Sequence, residues 1–228
     1  SDKESIAAAL RALSGQGVDV NYVQTNNPQP KIAGATITMP EIEDVGKSRT
    51  MADEVAAYLK FHDPEMHERH RPGNADKADI FDALENLRTH VLLSKKYPGV
   101  KQNINNGKSF GDSTADAIGK IFWERSLDLP YSAKSMLESW IELNAADKFE
   151  DLFNTTTSQP EFAKAAADFI ELLADKDNPR SMKKSEAEQD QTQQTQQEQQ
   201  QDDNNNDDQQ TENRKDDRPK LSADKQAG

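Results

Sequence analysis

Apolar residues recur every three or four positions over most of the first 180 residues, which is the period of an amphipathic helix. "DKESIAAALRALSG" sets Ile6, Leu10 and Leu13 on one face and meets a stop at Gly15, a residue suited to a left-handed helix end. "SRTMADEVAAYLKFH" repeats the pattern with Met51, Val55, Tyr58 and Leu59. "NADKADIFDALENLRTHVLLSKKYPG" carries the strongest stripe, Phe81, Leu84, Leu87, Val91 and Leu92, with Asn74 as its cap and Pro98-Gly99 as its end. "VKQNINNGKSFG" then reads as a polar loop. Asp112 predicts the cap of a helix bearing Ile118, Ile121, Phe122 and Arg125. Ser132 predicts the cap of another, with Met136, Leu137, Trp140 and Ile141 facing inward. Phe149, Leu152 and Phe153 predict a short helical turn. "SQPEFAKAAADFIELLAD" opens with Ser158 and Glu161 at capping-box spacing and presents Phe162, Ala166, Phe169 and Leu173 as one face.

Two stretches depart from the helical period. Residues 17–24, "GVDVNYVQ", alternate in the strand manner, and residues 32–40, "IAGATITMP", form a second β-prone run. "TNNPQP" between them is turn chemistry, so the two runs predict a hairpin. The fold class expected is mainly α: a multi-helix domain over residues 1–180 with a small N-terminal β-hairpin. Residues 181–228 lose the pattern altogether, and the stretch 189–219 has no aliphatic or aromatic side chain. Such a segment cannot bury enough surface to offset about 1–2 kcal/mol per residue of backbone entropy. It is expected to be a disordered, acidic, Gln/Asn-rich linker or tail.

Composition narrows the function classes. There is no cysteine, which rules out disulfides, thiolate metal sites and a thiol nucleophile. The formal net charge of -13 argues against general nucleic-acid binding, which needs basic surface to release counterions. No run of 18 apolar residues offers a membrane span, and "SDKESIAAAL" lacks the apolar core of a secretory leader, so a cytoplasmic location is expected.

The densest candidate chemistry is "FHDPEMHERHRPGN", which holds His62, His67 and His70. Asp63-Pro64 is a helix start, with a capping carboxylate and proline in the first turn. "PEMHERH" can make two turns, which Arg71-Pro72 ends before Asn74 caps the next helix. His67 and His70, three apart, would share a face and project from it. Two imidazoles could meet one metal ion, but a catalytic zinc site needs three protein ligands, and the H-E-x-x-H helix is absent. The stretch is therefore read as a structured, partner-facing corner in which His62, Asp63, His67, Arg69 and His70 are the candidate contact residues. No metal ligand and no catalytic residue is assigned. The chain has neither a G-x-x-x-x-G-K-[ST] phosphate loop nor a G-x-S-x-G nucleophile turn. "FGDSTADA" fails the metal motif of von Willebrand A domains, because Thr114 and Asp116 stand where serines belong.

The order of these features resembles a known family. "HDPEMHERHRP" is followed by "ADIFDALENLR", "GVKQNI", "KSMLESWIELNAADKFEDL", "FAKAAADFIELLADKD" and an acidic linker. The series, most specifically His62-Asp63-Pro64 with His67, Arg69, Pro72, Ile80-Phe81-Asp82-Ala83 and Glu85, is similar to the N-terminal region of the CobT-type subunit of aerobic cobaltochelatase. The resemblance implies a complex that inserts cobalt into a corrin precursor in cobalamin biosynthesis, a ligase forming nitrogen–metal bonds. The implied partners are an AAA+ ATPase subunit and a large corrin-binding chelatase subunit. The ATP, Mg²⁺ and cobalt implied by the resemblance belong to that complex, and this chain is expected to carry no cofactor of its own. In the family a von Willebrand A domain follows the linker, whereas this sequence ends at Gly228, as a fragment or a shortened relative would. Its role is then assembly, positioning or regulation. An adaptor of a MoxR-like AAA+/von Willebrand A pair that remodels protein is the alternative, and a free-standing metalloenzyme is a third.

Overall fold

A computed structural model describes residues 1–130 and 133–174 of the chain; the expected tail, residues 181–228, lies outside them. The described part is mainly helical with a small sheet near its start. The first helix, α1 (Asp2–Ser14), is capped by a reciprocal pair, Ser1 with Glu4, and ends at Gly15 in the left-handed region, φ 70°. Three strands follow: β1 (Asp19–Val23), β2 (Lys31–Ala33) and β3 (Thr36–Pro40).

The strands pair differently from the predicted hairpin. β3 lies in the centre, parallel to β1 and antiparallel to β2. The run "IAGATITMP" contains its own reversal at Gly34-Ala35, where Gly34 takes φ 58°. It folds as two strands, so the hairpin is β2–β3. This reversal, the second after β1, leaves β3 pointing the same way as β1. Ile37 and Met39 of β3 are fully buried.

Helix α2 (Val45–Phe61) begins earlier than its apolar stripe suggests, because Asp44 accepts from Lys47 N at 3.0 Å. Helix α3 (Pro64–His70) and helix α4 (Ala75–Lys96) start at Asp63 and Asn74, as expected. The predicted polar loop is instead α5 (Pro98–Gly107). Pro98 sits in its first turn, where a missing N–H costs nothing, and Val100 and Ile104, four apart, are buried. Helix α6 (Thr114–Ser126) is capped by Ser113, one residue after the predicted Asp112, and Ser113 Oγ accepts from Asp116 N at 3.0 Å.

Helix α7 (Met136–Asn144) is capped by Ser135; the predicted cap, Ser132, lies outside the described residues. Leu137 and Ile141 face inward, but Met136 does not: it is 70 % exposed. The expected turn at Phe149 is a full helix, α8 (Ala146–Asn154). Helix α9 (Gln159–Leu173) buries Phe162, Ala166, Phe169 and Leu173, yet Ser158 makes no capping bond.

One apolar core runs through these elements, from Ile6 and Leu10 through Phe81, Leu84 and Phe122 to Phe169. α4 is its axis and packs on α2, α5, α6 and α9. No helix among the described residues is long and apolar enough to cross a membrane.

Candidate functional site

The corner is built by α3 lying between the end of α2 and the start of α9. Asp63 Oδ1 accepts from Glu65 N at 2.9 Å and Met66 N at 3.1 Å, which starts α3. The backbone of the same residue is clamped from the far end of the sequence. Asp63 N donates to Gln159 Oε1 at 2.8 Å, and Gln159 Nε2 donates to Asp63 O at 2.9 Å. Gln159 is the first residue of α9, so this pair fixes α3 to α9.

The three histidines do three different things. His62 turns inward, and its Nδ1–H donates to the buried Glu85 Oε1 at 2.8 Å. His67 also turns inward instead of projecting, and its Nε2–H donates to Asp82 Oδ1 at 2.7 Å. Its ring packs on His62 and Phe81, both with centroids 5.0 Å away, and His62 in turn lies 4.5 Å from Tyr58. His67 Nδ1 is buried without a hydrogen-bond partner. His70 stays at the surface, where its Nδ1–H donates to Met66 O at 2.9 Å. Arg69 is exposed beside Glu65, with 3.8 Å between their charged ends. Sequence spacing grouped His67 with His70, while the fold groups His67 with His62.

Behind the histidines sits a buried ion pair. Arg88 Nε and Nη2 donate to Glu85 at 2.7 and 2.9 Å. Nη1 donates to Thr156 O at 2.9 Å and Nη2 to Phe61 O at 2.8 Å. Arg88 therefore ties α4 to the end of α2 and to the turn before α9. Burial by itself would raise the Glu85 carboxyl, but the bonds from Arg88 and His62 outweigh it and hold it below the usual range. Asp82 behaves alike: burial raises it, and Arg71 and then His67 more than compensate. Arg71 grips Asp82 through Nε at 2.9 Å and Nη2 at 2.8 Å, a bidentate pair.

Sequence reasoning missed Arg88, Arg71 and Gln159 as parts of the corner. Asp82 and Glu85, three apart on α4, share a face, and that much of the signal was readable. Each imidazole meets a different carboxylate, and among the described residues no three His, Asp or Glu side chains converge as a metal cage. As chemistry the corner is a hydrogen-bonded set in which His67 Nδ1 stays unbonded and Arg69 and His70 face outward.

A family model described as cobalamin biosynthesis protein CobT matches residues 3–120. The matched span includes α3, Asp82, Glu85 and Arg88, and ends inside α6. No solved structure matches the chain.

Proposed function

The chain belongs to the CobT family of cobalamin biosynthesis proteins, and from that premise we propose that it is a non-catalytic subunit, or the N-terminal part of one, of an ATP-dependent aerobic cobaltochelatase. In this reading it works by assembly with an AAA+ subunit and a large corrin-binding subunit. Cobalt is the substrate of the complex. ATP and Mg²⁺ belong to the AAA+ partner, because this chain carries no phosphate loop of its own.

The observation that carries the reading is an apolar face on α7. Met136 and Leu143 are 70 % and 85 % exposed, and Trp140 between them is half-buried. At spacings of four and three they form one stripe along the helix. Arg125 holds the helix in place by bonding Glu138 at 3.0 Å and Glu142 at 2.9 Å, and Lys134 adds a bond to Glu142 at 2.6 Å. A helix apolar on two sides is built to be covered on both. The stripe is far smaller than the roughly 800 Å² per partner of a free-standing dimer. Two copies at -13 each also repel one another. The stripe suits one part of a wider contact with the AAA+ subunit, and Arg69 and His70 supply polar contacts beside the clamped Asp63.

The test is co-elution of this chain with the AAA+ subunit and with the corrin-binding subunit. Met136→Asp/Leu143→Asp is expected to abolish co-elution with the AAA+ subunit, and Arg69→Glu/His70→Glu to weaken it, with circular dichroism unchanged in both. Unaltered co-elution of both variants would refute these surfaces. If the wild-type chain binds neither subunit, the chelatase reading fails. If it binds only a MoxR-like ring, the remodelling role replaces it.

A further inference from the structure

The fourth histidine, His90, lies on α4 away from the corner and is only 2 % exposed. Its Nδ1 is 2.8 Å from Lys108 Nζ. An ammonium nitrogen has no acceptor, so Nδ1 must accept and the imidazole must be neutral. Lys108 stands just after α5 and begins the connection to α6, residues 108–113. Its side chain is 13 % exposed, its Nζ is 3.4 Å from Glu54 Oε1 of α2, and it lies 5.2 Å over the Trp123 ring of α6. The amine thus joins four parts of the fold. Phe110, two residues on, packs against the core.

The groups around His90 leave a second positive charge without compensation. From the 108–113 connection comes the Lys108 ammonium, and from α2 comes Glu54, which is engaged by that ammonium. From α6 comes the uncharged Trp123, whose Nε1–H donates to Asn105 of α5 at 3.0 Å. Asp53 of α2 accepts from Asn103 of α5 at 2.8 Å through one oxygen, and the other lies 3.5 Å from Arg49 Nε as an ion pair without a hydrogen bond. α9 meets α4 elsewhere, at Lys77 and Arg88.

We propose that His90, Lys108 and Glu54 form an acid-sensitive latch, which fastens the 108–113 connection to α4 at neutral pH and releases it when His90 takes a proton. Protonation removes the lone pair that Lys108 holds and sets two cations against each other inside the fold. The cheapest relief is for Lys108 to swing into water and take the connection with it. The direction of the His90 titration agrees: burial first, and the Lys108 charge second, push it well below the ordinary value. Since the closed form holds His90 neutral, falling pH favours the open form once it drops below about 6.5.

Amide hydrogen exchange on the full 228-residue chain between pH 7.5 and 5 tests this. After correction for intrinsic rates, protection of the Lys108 amide, which donates to Asn105 O at 3.3 Å, is expected to fall about tenfold per pH unit below about 6.5. His90→Asn, whose amide oxygen replaces Nδ1 as an acceptor without titrating, should make the profile flat. No change in the wild-type chain, an equal change in His90→Asn, or simultaneous loss of protection throughout the fold would each overturn the latch. Should His90→Asn not fold, ring NMR of the wild-type chain decides. A His90 signal that titrates near 6.5 while the Lys108 amide stays protected refutes the proposal, and one that changes only as that amide opens supports it.

Discussion

Arg88 and Glu85 form the most committed polar contact in the fold, since both side chains are almost wholly inaccessible to solvent. Taking two charges out of water is costly, and here the loss is offset by four hydrogen bonds from the guanidinium and by a second donor, His62, on Glu85. Removing one partner leaves the other charge buried and unmatched. Arg88→Met is therefore expected to cost about 3–5 kcal/mol in urea unfolding, despite its similar bulk. The same pairing governs how the corner treats metals. His62 and His67 each donate one ring N–H to a different carboxylate, and among the described residues no third His, Asp or Glu joins them around one point. Calorimetric titration with Co²⁺ or Zn²⁺ is expected to show no submicromolar site, and a site that His62→Ala/His67→Ala removes would contradict this.

Between elements, small residues set the closest approaches. A Cβ on Gly107, at the end of α5, would come within 2.6 Å of Thr50 Cγ2 on α2. Thr50 cannot readily turn away, because its Oγ1 donates to Asn103 O at 2.9 Å and holds the two helices together. Gly107→Ala should therefore destabilise the fold by about 1–3 kcal/mol, a cost of overpacking, although alanine is the better helix former. Thermal unfolding beside Gly99→Ala provides the comparison, because a Cβ at Gly99 meets nothing within 4 Å. Equal midpoints for the two variants would show that α5 can slide on α2 without loss.

Over the molecule as a whole, acid should act in stages. The latch at His90 is the first to weaken, its opening becoming steadily more favourable as pH falls below about 6.5. The carboxylates act later. Glu85 and Asp82 have folded-state values below their ordinary ones, so the unfolded chain takes up protons first as pH falls. Their contribution is full above about pH 4.3, the ordinary carboxylate range, and is lost as pH falls through their folded values. Urea midpoints are expected to decline gradually below about pH 6.5, as unfolding lets His90 take its proton, and to drop steeply between about pH 4 and pH 3. Asp82→Asn should start lower at neutral pH and flatten the drop, and an unchanged slope would place the acid-sensitive groups elsewhere.

Most helices were legible along the chain because their determinants are local: apolar spacing, Asp63 and Asn74 as caps, and Gly15 as a stop. α5 was obscured by its Asn and Gly content, although Val100 and Ile104 already stood at helical spacing. Met136 shows the limit of a stripe, since periodicity tells that α7 is apolar but not which of its faces finds a neighbour. The strand pairing was likewise undecided, because register and direction depend on where the chain reverses, and the reversal lay within one β-prone run. The histidine cluster belonged to the sequence, but its chemistry did not. His62 meets Glu85 23 residues away, and Asp63 meets Gln159 96 residues away. The helical composition and the corner's caps were legible along the chain, since each depends on neighbours within a few residues, and the family was legible in the order of its motifs. Only the tertiary structure decided that two histidines turn inward and one outward, because hydrogen-bond partners are chosen by packing between helices distant in the chain.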